Sequence, residues 1–373
     1  MVIMNIQLDN LLLFHIFTMN LSYPKKPVRS SIEEEHLAGR NNFRYKKLVV
    51  LMGANATGKS ALGKVLMGIF NFISKKEMSN IVSLIDNNQL PASFSVDLAF
   101  PDHTLYRVST FIKAKKNVNE EYSSDDLNVT VKQEKIYTSD SYESCVKRLD
   151  ALENPESVFF AKALESVPHL SWFFEHPFAS AGRQRTVYPA DPHLYAKVLQ
   201  KTLQTLDPRI IKVEEAFSEK NTYSIVYPND TVLIHDGTIV TPEKLSSGTQ
   251  EGIGIAQLIT GMKLNAHELY YCDEKFSHIH TEIEKTFLSV MIDLLRENQQ
   301  LFFTTHNLDI LEMDLPLHSF AFLRREESAN HDITCVFASD YLKKNNLSLR
   351  NAVENDLFST VPSTSEICAF ANA

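Results

Sequence analysis

An octapeptide near the N-terminus has the residue types and the spacing needed to bind a polyphosphate. Residues 53–60 read Gly-Ala-Asn-Ala-Thr-Gly-Lys-Ser, which matches the pattern G-x-x-x-x-G-K-S/T. Glycines let backbone N–H groups converge on phosphate oxygens where a side chain would intrude. Lys59 supplies a positive charge for the β- and γ-phosphates, and the Ser60 hydroxyl suits Mg²⁺. The motif predicts a nucleotide site formed by Gly53, Asn55, Ala56, Thr57, Gly58, Lys59, Ser60 and Ala61.

An acidic pair, Asp273 and Glu274, follows the apolar residues Leu-Tyr-Tyr-Cys at positions 269–272. Asp273 is suited to hold Mg²⁺ directly or through water, and Glu274 is suited to polarise an attacking water. A strand that ends in two carboxylates is common, and by itself it more often marks a solvated strand end. The phosphate-binding octapeptide in the same chain favours the functional interpretation.

Two shorter segments could contact phosphate as well. Ser246, Ser247 and Gly248 open a predicted helix, where free N–H groups form an anion site. The same serines would also serve as an ordinary helix cap. His306 follows the apolar and hydroxyl residues Phe-Phe-Thr-Thr and could donate a hydrogen bond to a γ-phosphate.

The patterning around these motifs predicts an α/β protein. Strands are expected within 3–22, 48–52, 93–113, 209–240, 268–273, 300–305, 318–324 and 332–338, and helices over 59–74, 155–206, 246–264 and 281–298. Residues 114–145 are rich in polar residues and are expected to form a mobile insertion. We therefore expect three segments: an N-terminal lobe over 1–113, a partly flexible and then helical insertion over 114–205, and a C-terminal lobe over 206–373.

Composition places the chain among soluble globular proteins. It has 373 residues, of which 44% are hydrophobic and 22% charged, and its net charge is −9. This acidic balance argues against a protein that coats nucleic acid or anionic membrane. No apolar run reaches membrane-spanning length, and the four widely separated cysteines favour neither disulfides nor a zinc ribbon. The expected location is the cytoplasm.

The order of the motifs resembles that of the ATP-binding-cassette ATPases: Walker A, signature, Walker B and switch histidine. The spacing from Gly248 to Asp273 and from Asp273 to His306 also fits that family. The long gap between Gly53 and Leu245 resembles the SMC, RecF and OLD branch. Within that branch the chain is most similar to AAA-type ATPases of antiphage defence, namely the RloA/AbiLi, PtuA and AriA types and the ATPase half of OLD nucleases. The matching segments are 6–10, 13–14, 53–60, 206–210, 245–249, 273–274, 305–307, 346–351, 357–358 and 361–362.

The resemblance implies an ABC-type P-loop ATPase head with a mixed central sheet, which uses ATP and Mg²⁺. It assigns catalytic roles to Lys59, Glu274 and His306, and Mg²⁺ to Ser60 and Asp273. Two heads of this kind dimerise around two nucleotides, so the signature loop (Ser246, Ser247 and Gly248) of one chain would face the ATP of the other. One departure is 276–280, Phe-Ser-His-Ile-His, where the family usually has Asn-Ser-Leu-His after the acidic pair.

The stretch after His306 is too short for the Toprim nuclease of OLD proteins. The resemblance therefore implies a sensor or scaffold subunit of an abortive-infection complex that controls a separate effector, such as a nuclease. A phage protein or nucleic acid could be the trigger. The alternative is a RecF- or SMC-like DNA-repair or DNA-clamping ATPase, which would bind duplexes with a steep salt dependence. A transporter cassette is disfavoured by the long gap between the first two motifs.

Three remaining features have plainer expected explanations. Arg183 and Arg185 could contact nucleic acid phosphates or ATP but more simply belong to a solvated loop. The aromatic residues 172–174 are expected in a core, and would mark a partner surface only if exposed. The Lys- and Glu-rich stretch 113–121 is expected to be a solvated face.

Overall fold

The computed structural model describes residues 1–26, 30–117, 119–155, 158–177, 191–216, 221–326, 332–342 and 348–360. The chain forms two compact units. Unit 1 comprises Met1–Leu170 with Leu311–Ala373, and unit 2 comprises Ser171–Ile310. The expected division into 1–113, 114–205 and 206–373 follows the sequence motifs, and it stays a prediction. Arg183 and Arg185 lie outside the described residues.

The strands in chain order are β1 Val2–Asp9, β2 Phe17–Asn20, β3 His36–Leu37, β4 Arg40–Arg44, β5 Leu48–Met52, β6 Ala92–Ala99, β7 Thr104–Ile112, β8 Leu127–Lys135, β9 Trp172–Glu175, β10 Lys212–Glu215, β11 Thr222–Val226, β12 Thr231–His235, β13 Thr238–Ile239, β14 Leu269–Cys272, β15 Gln300–Thr304, β16 Phe320–Arg325 and β17 Ile333–Phe337. The helices are α1 Lys59–Lys75, α2 Ser79–Val82, α3 Tyr142–Ala151, α4 Phe160–Leu164, α5 Pro192–Leu206, α6 Ser247–Lys263, α7 Thr281–Leu294, α8 Ala338–Tyr341 and α9 Leu349–Glu354. The expected α/β class is confirmed. None of the helices among the described residues has the length and apolar character that crossing a membrane requires.

Unit 1 contains a five-stranded antiparallel sheet in the order β2-β1-β6-β7-β8. Alternate residues of β1 and β7 are buried, as expected for a sheet with one face on a core. A cluster of buried side chains covers one face of this sheet: Val2, Met4, Leu37, Phe43, Tyr45, Ala99, Leu105, Ile136, Tyr142, Cys145 and Leu149.

Strand β8 corrects the expectation of a mobile insertion over 114–145. It pairs with β7 over nine positions, from Thr104 opposite Lys135 to Ile112 opposite Leu127. Its apolar residues Leu127, Val129 and Val131 alternate with polar ones, which suits an edge strand whose polar side chains remain half-buried or exposed. The polar composition of this stretch therefore reflects one solvated sheet face. Lys115 is also buried, against the expected solvated face over 113–121, and its ammonium lies 2.7 Å from Asp126 Oδ2.

A second set of strands in unit 1 holds the phosphate-binding octapeptide. Strand β5 pairs in parallel with β16, with Val50 opposite Phe320, and β17 runs antiparallel to β16. All five residues of β5 are buried, which explains its unbroken apolar sequence. The chain leaves β5 at Met52 and enters α1 at Lys59, so both elements fix the ends of the octapeptide.

Unit 2 places the acidic pair at the end of a parallel sheet. Strand β14 lies between β9 and β15, with Leu269 opposite both Trp172 and Gln300. The expectation of helix over 155–206 is wrong at β9, because this segment pairs in parallel with β14. Phe173 is buried there, and Phe174 stacks on Tyr271 with ring centroids 5.2 Å apart. Phe173 is a core residue, as the core interpretation expected, whereas Trp172 and Phe174 are half-buried.

The rest of unit 2 is a four-stranded antiparallel sheet, β10-β11-β12-β13, packed with α5 and α6. Asp191 caps α5 by accepting a hydrogen bond from Leu194 N at 2.9 Å, and Pro192 occupies the first helical turn. The shared core consists of buried aliphatic and aromatic residues from these elements, including Leu199, Leu203, Ile225, Ile234, Ile253 and Ala256.

Candidate functional site

The octapeptide over residues 53–60, which we call the phosphate loop, has a backbone that depends on glycine. Gly53 has φ 152°, and a Cβ at this position would lie 2.5 Å from the carbonyl oxygen of Leu323. Gly58 has φ 97° and forms the N-cap of α1. Residues with a Cβ rarely adopt either φ value. At Gly53 a Cβ would also clash with the Leu323 carbonyl. Ala56 also has a positive φ of 62°, and a loop with several such residues is of the kind that can direct successive N–H groups to one concave side.

Lys59 lies within this loop. Its side chain is buried, and Nζ donates to the carbonyl oxygens of Gly53 at 3.0 Å and Ala54 at 3.2 Å. Thr57 Oγ1 donates to the same Ala54 carbonyl at 2.8 Å, and Arg325 donates to the Ala56 carbonyl at 2.9 Å. Lys59 and Thr57 therefore hold the loop from within it, and Arg325 holds it from strand β16.

The other predicted loop residues differ in exposure. Asn55 and Ala56 are exposed, whereas Ser60 and Ala61, in the first turn of α1, are half-buried. That turn contains no acidic residue. No carboxylate of this turn therefore offsets the positive end of the helix dipole, which favours an anion at this end of α1.

In unit 2, one threonine fixes both members of the acidic pair. Asp273 is buried, and its Oδ1 accepts a hydrogen bond of 2.9 Å from the hydroxyl of Thr304. The same hydroxyl accepts the backbone N–H of Glu274 at 2.9 Å. Because β14 and β15 are parallel, their carboxyl ends meet and bring Thr304 beside the pair. Nδ1 of His176 lies 3.8 Å from the other Asp273 oxygen.

Glu274 and His306 lie against each other. His306 Nε2 is 2.9 Å from Glu274 Oε1, and both side chains are partly exposed. Glu274 has a left-handed backbone with φ 45°, an uncommon conformation for a residue that is not glycine. A carboxylate beside an imidazole can accept a proton from water, while the imidazole donates to an anionic oxygen. The structure thus brings together two of the three residues to which the sequence assigns catalytic roles.

The segment around His306 is held by Glu284 of α7. Its carboxylate accepts from Thr305 Oγ1 at 2.6 Å and from Asn307 Nδ2 at 2.7 Å. Burial raises the pKa of Glu284, and the two hydrogen bonds partly offset this increase. Glu284 therefore fixes the residues on both sides of His306.

A buried ion triad, formed by Glu175, Glu251 and Lys275, lies next to the acidic pair. Lys275 Nζ is 2.9 Å from Glu175 and 2.5 Å from Glu251, and it donates to the His176 carbonyl at 2.8 Å. Lys275 is fully buried, which opposes its charged form, but the two carboxylates outweigh burial and raise its pKa. Burial also raises the pKa of Glu175, against the opposing effect of Lys275.

The triad connects three elements that lead to the candidate site. Glu175 ends β9, and its carbonyl accepts the N–H of Asp273 at 2.8 Å. Glu251 lies on α6, five residues after Ser246, and Lys275 directly follows the acidic pair. A Cβ at Gly254 would lie 2.8 Å from Lys275 Nζ, so α6 approaches the triad closely enough to require glycine there.

The signature loop forms a helix cap. Ser246 is the N-cap of α6, and its Oγ accepts from Thr249 N at 3.2 Å. Gly248 lies against the loop after the acidic pair, where a Cβ would be 3.0 Å from the His278 carbonyl oxygen. Ser247 is exposed. The capping interpretation is confirmed, and an anion-binding role for the same loop stays a prediction.

The divergent segment 276–280 has a structural role at its last residue. His280 is the N-cap of α7, and its Nδ1 accepts from Glu282 N at 3.3 Å. Phe276 is buried and its ring lies 5.4 Å from that of Phe303.

The residues that sequence reasoning missed are Thr304, Glu284, His176 and the buried triad. A sequence signal existed only for Thr304, which lies inside the Thr-Thr-His segment.

Comparison with known proteins places the chain in a family. The family model described as "AAA domain, putative AbiEii toxin, Type IV TA system" matches residues 48–312, which include the phosphate loop, the signature loop, the acidic pair and His306. The chain belongs to this AAA-domain family. No curated protein matches the sequence.

Solved structures show the fold. The chain is similar to an SmcHead bound to the C-winged helix domain of ScpA, with a TM-score of 0.51 and 13% identity over 94% of this chain and 100% of that chain. It is also similar to an Smc head domain from Pyrococcus furiosus with an extended coiled coil, bound to the C-terminal domain of ScpA. That match has a TM-score of 0.51 and 10% identity over 94% of this chain and 98% of the other. The expected fold of an ABC-type P-loop ATPase head is confirmed.

Proposed function

We propose that this AAA-domain protein binds and hydrolyses ATP and that it uses the nucleotide to control a separate toxic effector, such as a nuclease, in abortive infection. The observation that carries the nucleotide part is the phosphate loop. Its glycine-dependent backbone, the buried Lys59 and the first turn of α1, which has no acidic residue, together favour a polyphosphate. The family model, with its putative toxin description, supports the defence part.

Each predicted residue has a role in this proposal. Lys59 neutralises the β- and γ-phosphates, and the oxygens of Ser60 and Asp273 are the hard ligands that Mg²⁺ prefers. Mg²⁺ supplies charge neutralisation on the phosphates. Glu274 orients a water and accepts its proton, and His306 donates to the γ-phosphate. Thr304 and Glu284 keep these side chains in place.

We propose in addition that two chains dimerise around ATP. The exposed Ser247 and the free N–H groups at the start of α6 form an anion-binding end in each copy. In the proposal this end contacts the γ-phosphate bound by the other copy. ATP binding would thus change the assembly state, and this change would be transmitted to the effector. A phage protein or nucleic acid would act as the trigger.

The variant Glu274→Gln tests this mechanism. The amide cannot accept a proton, so we expect hydrolysis of Mg-ATP to fall at least about 100-fold while ATP stays bound. Dimers should then persist with ATP in sedimentation velocity and disappear without it. Glu282→Gln is the matched control, because Glu282 is exposed on α7 and its carboxylate contacts Lys285. Hydrolysis by Glu274→Gln at the wild-type rate would contradict the role of Glu274.

A further inference from the structure

Unit 2 contains an open groove between helices α5, α6 and α7. Its volume is about 410 Å³. The apolar side chains that line it are Leu194, Val198, Ile259, Phe287, Val290 and Leu294. Phe287, Val290 and Leu294 recur at three- and four-residue spacing, so α7 presents an apolar stripe to the groove, and α5 adds Leu194 and Val198 one turn apart. The polar, uncharged residues of the lining are Thr202, Thr205 and Thr286. Val290 is 39% exposed, which leaves part of this surface open to solvent.

The charged side chains that line this groove are all lysines: Lys197, Lys201 and Lys263. All three are exposed, and within the described part of the chain their ammonium groups have no hydrogen-bond or ion-pair partner. Two lie one turn apart on α5 and the third ends α6. The charged lining of the groove is therefore positive, although the whole chain has a net charge of −9.

We propose that this lysine groove binds an amphipathic helix of a partner protein whose apolar ridge is flanked by aspartate or glutamate. An apolar floor between helices is the surface that receives a helix through residues spaced by three and four positions. The lysine stems extend the apolar surface, while their ammonium groups pair with carboxylates at the rim. Nucleic acid fits less well, because it offers no apolar ridge for Phe287, Val290 and Leu294.

The position of the groove along the chain connects it with nucleotide chemistry. Helix α6 begins at the signature loop, and α7 begins seven residues after Glu274. A helix in the groove would contact both elements away from their catalytic ends. The assignment of this helix to the effector rests on the proposed function, whereas the binding surface itself does not.

The test uses the full-length protein without nucleotide and a fluorescent helical peptide of about 18 residues, with leucines at three- and four-residue spacing and glutamates beside them. Fluorescence anisotropy measures its affinity for wild type and for Lys197→Glu/Lys201→Glu/Lys263→Glu. We expect the charge-reversed variant to bind at least about tenfold more weakly. The matched control is Lys116→Glu/Lys147→Glu/Lys162→Glu, which reverses three exposed lysines of unit 1 and should bind the peptide like wild type.

A second variant, Val290→Asp, changes the apolar floor and leaves the lysines in place. We expect it to weaken peptide binding as well, and thermal unfolding verifies that both variants fold. The proposal is overturned if the peptide does not bind wild type, or if the control loses as much affinity as the groove variants. It is also overturned if the groove variants lose duplex DNA binding or self-association instead, since the occupant would then be nucleic acid or a second copy. If the wild-type protein binds the peptide but does not hydrolyse ATP, that result would contradict the proposed function alone.

Discussion

The phosphate loop and the acidic strand end of β14 are built in different ways. The loop is made from adjacent residues, and its backbone conformation shapes the candidate phosphate site. It has glycines at φ 152° and 97° and one buried lysine. The acidic pair and His306 depend on groups from distant parts of unit 2. The Thr304 hydroxyl bonds to both members of the pair, the Glu175 backbone carbonyl accepts the N–H of Asp273, and the Glu284 carboxylate holds the residues on both sides of His306. A site of backbone groups can be recognised in the sequence as a motif. A site of side-chain bonds becomes visible only when the fold brings its members together.

This difference explains which features the sequence predicts. The strand before the phosphate loop, the loop and α1 follow from an apolar run, the glycines and helical spacing, and all three are found as expected. The ion triad is invisible because Glu175, Glu251 and Lys275 are separated by 76 and 24 positions and belong to a strand, a helix and a loop. Its discovery required the pairing of β9 with β14.

The two errors in the secondary structure have related causes. Strand β8 reads as a polar insertion because only part of an edge strand is buried. Strand β9 reads as part of a helix because its four residues are too short a window for a periodicity of two, and its neighbours favour helix. In both cases the pairing partner, which the local sequence does not contain, decides the conformation.

The largest expected effect tests whether the acidic strand end depends on its buried charges. Lys275→Met would remove the ammonium that both buried carboxylates contact, so we expect the free energy of unfolding to fall by about 3–5 kcal/mol in urea denaturation. Adding Glu175→Gln and Glu251→Gln removes both negative charges and should restore a large part of the loss. A triple variant as unstable as Lys275→Met would show that packing, and not charge, is what Lys275 provides.

The next effect tests whether the phosphate loop depends on its backbone. Gly53→Ala places a Cβ against the Leu323 carbonyl at a φ that alanine rarely adopts. We expect affinity for Mg-ATP to fall about 100-fold, which corresponds to about 2.7 kcal/mol. The control is Gly261→Ala on α6, where the nearest atom would be 3.6 Å away in ordinary contact. Equal affinities for Gly53→Ala and wild type would remove the argument that this loop needs glycine.

The smallest effect concerns the Glu284 carboxyl, which holds the segment around His306. Burial raises the pKa of Glu284 in the folded protein, so protonation favours folding and this contribution is lost as the pH rises through the raised pKa. The amide of Glu284→Gln does not ionise. We therefore expect this variant to become more stable relative to wild type between pH 4 and pH 7, as measured by urea unfolding at each pH. A difference that stays constant over this range would show that ionisation of Glu284 does not affect stability.

The central claim is that the phosphate loop binds ATP, and calorimetric titration of Mg-ATP into wild type and Lys59→Ala tests it most directly. Lys64→Ala is the control, because Lys64 lies on the same helix but is exposed. We predict saturable binding to wild type and Lys64→Ala, and affinity at least about 100-fold weaker for Lys59→Ala. Binding of equal affinity to all three proteins, or no binding to wild type, would contradict the account.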